Sequence, residues 1–314
     1  MTALAVPLRE IGYIEVMGSN PPFSPHGQQP FRAAPIPEIL PPDGYTPPPP
    51  PAPEPTARRP RPRWAIAPAT YTLLGINIAV YVLMVLARVS PVMPSADALM
   101  HWGANNAGSV LVDGEWWRIV TAMFVHGGIL HLALNMWCLW NLGLLAEPLM
   151  GTFGLLAVYL LTGAAGNLLS TLSNWIQHWH DIPLVPTASA AFPPGVGASG
   201  AVFGIAGALI ILLKSDRLPV PPVELKKIRK SVIYFAAINL VLGLGINFGT
   251  SRTGVAIDNM AHLGGCASGL LFAVPMVPRL GSPRSTFNLK LRIAVGMVTG
   301  ILVLFGFFLS KMAP

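Results

Sequence analysis

Charge is what this chain has least of. Only 11% of its 314 residues are Asp, Glu, Lys or Arg, against 53% hydrophobic, and the mean hydropathy is +0.57. A water-soluble domain carries about a quarter charged residues, so no water-facing shell can be built from this composition and a polytopic membrane protein follows. Acidic residues are scarcer still, 13 against 20 Lys and Arg, for a formal net charge of +7. The basic residues lie between apolar runs and form no single stripe, which excludes a nucleic-acid face and points to orientation signalling. Cysteine is nearly absent. Cys138 and Cys266 both sit inside apolar runs, so neither a disulfide framework nor a Cys/His metal site is expected, and both read as small buried hydrophobes. No HExxH, P-loop or dinucleotide fingerprint occurs, and the pairs His126/His131 and His178/His180 lack a carboxylate or thiol complement for a metal. Residues 1–17 contain Pro7, Arg9 and Glu10 and no uninterrupted apolar core, so a cleavable signal peptide is not expected.

Proline, by contrast, is abundant and unevenly placed. Residues 1–63 hold 18 of the 33 prolines, including the run Pro47–Pro51. Such a segment buries too little apolar surface to offset the entropy of ordering it, so it reads as a disordered, partly polyproline-II tail. Seven apolar runs then approach the ~20 residues needed to cross a bilayer: Tyr71–Val89, Ile129–Leu149, Phe153–Leu172, Ala198–Leu213, Val232–Phe248, Ile257–Val277 and Leu291–Ser310. The fourth is short.

The cations orient these runs. With the amino terminus in the cytoplasm, 16 of the 20 Lys and Arg fall in the tail, the fourth-to-fifth connection and the sixth-to-seventh connection. Arg88, Arg118, Arg252 and Lys311 remain at the outer side. That distribution satisfies the positive-inside rule and places the carboxyl terminus outside. The second, fourth and sixth spans then all run from outside to inside. His131 and Asn135 on the second, Ser199 at the start of the fourth and His262 on the sixth fall in one layer near the outer face.

Polar groups at membrane depth are costly unless they have a partner or a task. Ser199 offers a hydroxyl nucleophile, and His262 an imidazole to accept its proton. His131 and Asn135, four apart, share a helical face and can stabilise an oxyanion. Gly200 and Gly204 on the fourth span, and Ala261, Gly265 and Gly269 on the sixth, form small-residue faces that permit close backbone approach. Asp258, four residues before His262, either completes a Ser-His-Asp triad or caps the sixth helix. The nucleophile elbow of soluble hydrolases is excluded, because the position two after Ser199 is Ala201.

Taken with Trp117-Arg118, His126, His131-x-x-x-Asn135, Gly143-x-x-x-Glu147, Gly197-Ala198-Ser199-Gly200 and Ala261-His262-x-x-Gly265-x-x-x-Gly269, the chain resembles the rhomboid intramembrane serine proteases over about residues 65–277. The resemblance implies an all-α polytopic membrane protein with a six-helix catalytic core (residues 64–277). Residues 278–314 form a linker and one additional C-terminal transmembrane helix, and residues 1–63 a cytoplasmic tail. It implies a catalytic dyad of Ser199 and His262, with His131, Asn135 and the Ser199 backbone N–H as the oxyanion hole and no aspartate third member. Glu147 and His126 become structural hydrogen-bonding groups. The implied activity is cleavage of other proteins' transmembrane segments near the outer boundary, without a cofactor and with no nucleic-acid partner. The fifth span and the loop 249–256 are the expected gate and cap, and a bacterial inner membrane is the expected location. The alternative is a non-catalytic polytopic protein, a transporter or pseudoprotease, that binds transmembrane helices. The absence of an internal repeat and the presence of both Ser199 and His262 speak against it.

Overall fold

The computed structural model describes residues 67–215, 217–249 and 257–312. The proline-rich tail (1–63) and most of the expected cap (250–256) lie outside the described residues. Within them the chain is an all-α polytopic membrane protein. The nine α-helices among the described residues are α1 (Pro68–Leu86), α2 (Ala96–His101), α3 (Ala107–Leu111), α4 (Arg118–Thr121), α5 (Ile129–His178), α6 (Ser199–Leu212), α7 (Pro222–Gly249), α8 (Asn259–Ala273) and α9 (Arg284–Ser310). Two 3-10 turns, Trp179–Leu184 and Ala188–Ala191, join α5 to α6.

Each long helix buries one stripe and shows the rest to lipid. In α1 the buried positions are Ala69, Thr70, Leu73, Asn77, Tyr81 and Met84, three or four apart, while Ile76, Ile78, Val82, Leu83 and Leu86 are exposed. That much exposed apolar surface is tolerable only against hydrocarbon. Helices α1, α5 and α9 are long and apolar enough to cross a membrane; α6 is apolar but only 14 residues long.

The second and third predicted spans are arms of one helical element, α5, broken at Gly151 (φ 74°, ψ 166°). The arms run in opposite directions along α1. Glu147, at the end of the first arm, bonds the start of α1, and Tyr159, early in the second, bonds Asn77 halfway along α1. The positive φ is why glycine sits at this reversal. The fifth predicted span begins ten residues earlier than expected, because the basic stretch from Pro222 onward continues the same helix.

Glu147 locks the end of this arrangement. Its buried carboxylate accepts from Ala69 N (2.8 Å), Thr70 N (2.9 Å), Thr70 Oγ1 (2.8 Å) and Thr152 Oγ1 (3.0 Å). Helix α1 lacks a side-chain cap of its own and begins with Pro68, so its orphan N–H groups are satisfied from another helix. At the opposite end, the connection from α1 to α5 folds around Arg118. The guanidinium bonds Glu115 (2.6 Å), Met100 O (2.7 Å) and Ala104 O (3.1 Å) and lies 4.4 Å over the Trp117 ring. This connection pairs with the approach to α6: Asn105 and Gly195 exchange backbone hydrogen bonds of 2.8 and 2.7 Å, and Gly197 N donates to Ala122 O at 2.9 Å.

The additional helix α9 packs along its length. Phe287, Leu291, Ala294 and Val298 enter the main core, and Leu309 joins Val110, Leu111, Trp175 and Phe192 in a second apolar cluster.

Candidate active site

Glycine and alanine set the distance between α6 and α8. A Cβ added at Gly265 would stand 2.8 Å from the carbonyl carbon of Gly200 and closer still to its oxygen; at Gly269 it would stand 2.7 Å from the carbonyl carbon of Gly204. The small faces seen in the sequence therefore meet each other, Gly200 on Gly265 and Gly204 on Gly269. The second arm of α5 closes the other side, with Gly166 against the Ala261 backbone and Thr162 against Gly204. Gly163 and Gly166 were not singled out from the sequence, although Gly163-Ala164-Ala165-Gly166 is a visible small-residue run.

This crossing sets the start of α6, where Ser199 lies, beside the start of α8, where His262 lies. Ser199 is the first residue of α6, and the backbone of its neighbour Gly200 lies against Ala261, which precedes His262. His262 is 7% exposed, and its ring stacks on Phe203 with centroids 4.2 Å apart and planes 8° apart. Phe203, one turn after Ser199, had no polar signature to mark it. Ser199 Oγ and the His262 ring make no hydrogen bond to each other among the described residues, and His262 Nδ1 is buried without a partner.

From the other side, His131 and Asn135 reach the loop that leads into Ser199. A Cβ on Gly197 (φ +118°) would stand 2.7 Å from His131 Cε1, 2.8 Å from Nε2 and 3.7 Å from Asn135 Nδ2. The site therefore needs glycine there twice over, for the backbone and for the imidazole. The Gly127 N–H donates to His131 Nδ1 (3.3 Å), which leaves the ring proton on Nε2, the nitrogen nearest Gly197. Asn135 Nδ2 donates one hydrogen to His131 O (2.9 Å) and keeps its second. His126, fully buried in the segment before α5, meets His131 edge-on at 5.4 Å and bonds Phe124 O. Burial, aided by His131 beside it, pulls the His126 imidazole down to about 3, so it stands neutral as a structural wedge.

Asp258 takes the capping role of the two considered. One carboxylate oxygen accepts from Ala261 N (2.9 Å) and the other from Ser170 Oγ, so the group is engaged away from the imidazole. Among the described residues, no group of three or more His, Cys, Asp or Glu is placed to hold a metal ion.

The chain is similar to known proteins. The model of the Rhomboid domain matches residues 113–279. Rhomboid protease GluP of Bacillus subtilis is 31% identical over 214 residues, which are 68% of this chain and 36% of that protein. Rhomboid protease AarA of Providencia stuartii is 31% identical over 251 residues, 77% of this chain and 84% of that protein. The mitochondrial RHOMBOID-like protein 6 of Arabidopsis thaliana is 32% identical over 192 residues, 60% of this chain and 53% of that protein. This chain thus spans about a third of the Bacillus protein and most of the Providencia one. The domain match takes in Trp117-Arg118, both arms of α5, Ser199 and His262, and on that ground the chain belongs to the rhomboid family of intramembrane serine proteases.

Proposed function

We propose that this protein is an intramembrane serine endopeptidase that cleaves transmembrane segments of other proteins near the outer membrane boundary. Ser199 is the nucleophile and His262 the general base; His131, Asn135 and the Ser199 backbone N–H form the oxyanion hole. The observation that carries the reading is the backbone-to-backbone crossing of α6 and α8, which sets Ser199 and His262 on neighbouring helices with His131 and Asn135 against Gly197. A serine hydroxyl is a weak nucleophile until a base takes its proton, a contribution of about 10²–10⁴-fold. The Ser199–His262 hydrogen bond is formed on substrate binding, as catalytic hydrogen bonds that are slack in a free enzyme tighten in its complexes.

In the reaction, Ser199 Oγ attacks the scissile carbonyl carbon while His262 accepts the hydroxyl proton. The oxyanion that develops faces His131 Nε2–H and the free Asn135 amide hydrogen, where one well-aimed donor is worth about 2.7–4 kcal/mol. As the C–N bond breaks, His262 returns the proton to the leaving amine. Water, deprotonated by the same imidazole, then hydrolyses the Ser199 ester. Ser199 begins a helix, so its own N–H is one of the four with no intrahelical acceptor.

Substrate enters between α7 and the first arm of α5. An apolar groove of about 200 Å³ lies there, lined by Trp137, Cys138 and Leu142 on one side and Ile228, Val232 and Phe235 on the other. Helix α7 is the natural gate, since only Leu225 and Val232 are buried over residues 222–241. The catalytic core comprises residues 64–277, with α9 appended. The chain lies in a bacterial inner membrane with its amino terminus in the cytoplasm and its carboxyl terminus outside, as its cations favour.

The test is cleavage of a single-span substrate in proteoliposomes by the wild type and by Ser199→Ala. The wild type is expected to cut near the outer end of the span and the variant to be inert. Equal behaviour of the two makes the protein a non-catalytic binder of transmembrane helices.

A further inference from the structure

Among the described residues, two neighbouring side chains at the proposed site, one of them the dyad histidine, have polar atoms without a partner. His262 Nδ1 is buried and unbonded, and so are both the oxygen and the nitrogen of the Asn259 side-chain amide. An orphaned buried polar atom in a native fold is uncommon and calls for a functional or solvent partner. These orphans belong to residues three apart on α8, where side chains are neighbours. Side chains in a helix lean toward its amino terminus, so the His262 imidazole leans back over the turn that begins with Asn259. Asp258, the more obvious polar neighbour, is spent on Ala261 N and Ser170.

The stack on Phe203 fixes the plane of the His262 ring but not which ring atom faces Ser199. A half-turn about the Cβ–Cγ bond keeps that plane but exchanges Nδ1 with Cδ2 and Nε2 with Cε1, so it decides whether a nitrogen or a carbon faces Ser199. A base for Ser199 must present an unprotonated nitrogen, with the proton held on the other by an acceptor.

From these observations we infer that Asn259 is a positioning residue: its side-chain oxygen accepts the Nδ1–H of His262 and so turns Nε2 toward Ser199. Asn259 does the task that an aspartate performs in soluble serine hydrolases, without placing a charge in the membrane. The inference rests on the protease reading above. It makes Asn259 necessary for nucleophile activation and dispensable for substrate binding and folding.

The experiment measures the rate at which a fluorophosphonate labels Ser199 in the full chain in detergent, alongside KM and kcat for a single-span substrate and the melting temperature. Asn259→Leu is expected to slow labelling and kcat by about 10- to 100-fold at unchanged KM and melting temperature. Asn259→Asp, which keeps an acceptor oxygen in place, is expected to label within about threefold of the wild type. Wild-type labelling by Asn259→Leu overturns the inference, and so does an equal loss in both variants or a loss that follows the melting temperature. Failure of the wild type itself to label Ser199 or to cleave substrate instead overturns the protease reading.

Discussion

Substituting Gly265 with alanine tests the geometry on which the site depends. The new Cβ would stand 2.8 Å from the Gly200 carbonyl carbon and 3.1 Å from its Cα, with the carbonyl oxygen closer still. Ordinary carbon–carbon contact lies at about 3.5–4.0 Å, and both opposing atoms are backbone, so no side chain can swing aside. Helix α8 must retreat from α6 by about 1 Å. Overpacking of this kind costs about 1–3 kcal/mol of stability. A 1 Å misplacement of reacting groups costs about 100-fold in rate, and His262 lies on the same helix one turn before Gly265. The expected outcome is therefore a roughly 100-fold fall in kcat/KM for a single-span substrate, from protein that still folds and purifies in detergent. Gly75→Ala is the control: nothing lies within 4 Å of a Cβ there, and activity is expected to match the wild type. Gly265→Ala protein that cleaves at the wild-type rate with an unchanged melting temperature would refute the claim that this contact sets the distance between nucleophile and base.

Other substitutions separate stability from chemistry. Glu147→Ala strips the acceptor from two backbone N–H groups at the start of α1 and from the Thr70 hydroxyl. At about 1–3 kcal/mol per stranded buried donor, a loss of roughly 3–5 kcal/mol is expected in detergent-denaturation midpoints; an unchanged midpoint would contradict the capping role. Gly197→Ala meets both a positive φ, which costs about 1–2 kcal/mol in L-residues, and the His131 ring, so cleavage should fall much further than the melting temperature does. Asp258→Asn keeps an oxygen for the Ala261 cap and should retain activity within about threefold, while Asp258→Ala should lose about 1 kcal/mol of stability. A 10⁴-fold loss in Asp258→Asn, the scale seen when a triad aspartate is neutralised, would reinstate Asp258 as a catalytic partner.

The legible part of this molecule was what lipid imposes. Runs of apolar residues predicted the long helices, because a span in hydrocarbon must be both helical and apolar. Spaced glycines predicted the α6–α8 crossing, because membrane helices approach closely only through small residues. Harder to read were features that depend on distant partners. Nothing local to Glu147 reveals that its carboxylate caps a helix 77 residues earlier, and an aspartate four residues before a histidine reads equally well as a triad member or a cap. The stack of Phe203 on His262 was invisible among ordinary apolar residues. The early start of α7 was missed because its first turns are basic, and hydropathy finds the membrane boundary, not the end of a helix.

The most direct test of the central claim is where a fluorophosphonate attaches. Peptide mass spectrometry of the labelled wild type should find the adduct on Ser199, and His262→Ala should abolish it while leaving the melting temperature within a few degrees. An adduct on another residue, or labelling of Ser199 undiminished in His262→Ala, would contradict a serine activated across the α6–α8 contact.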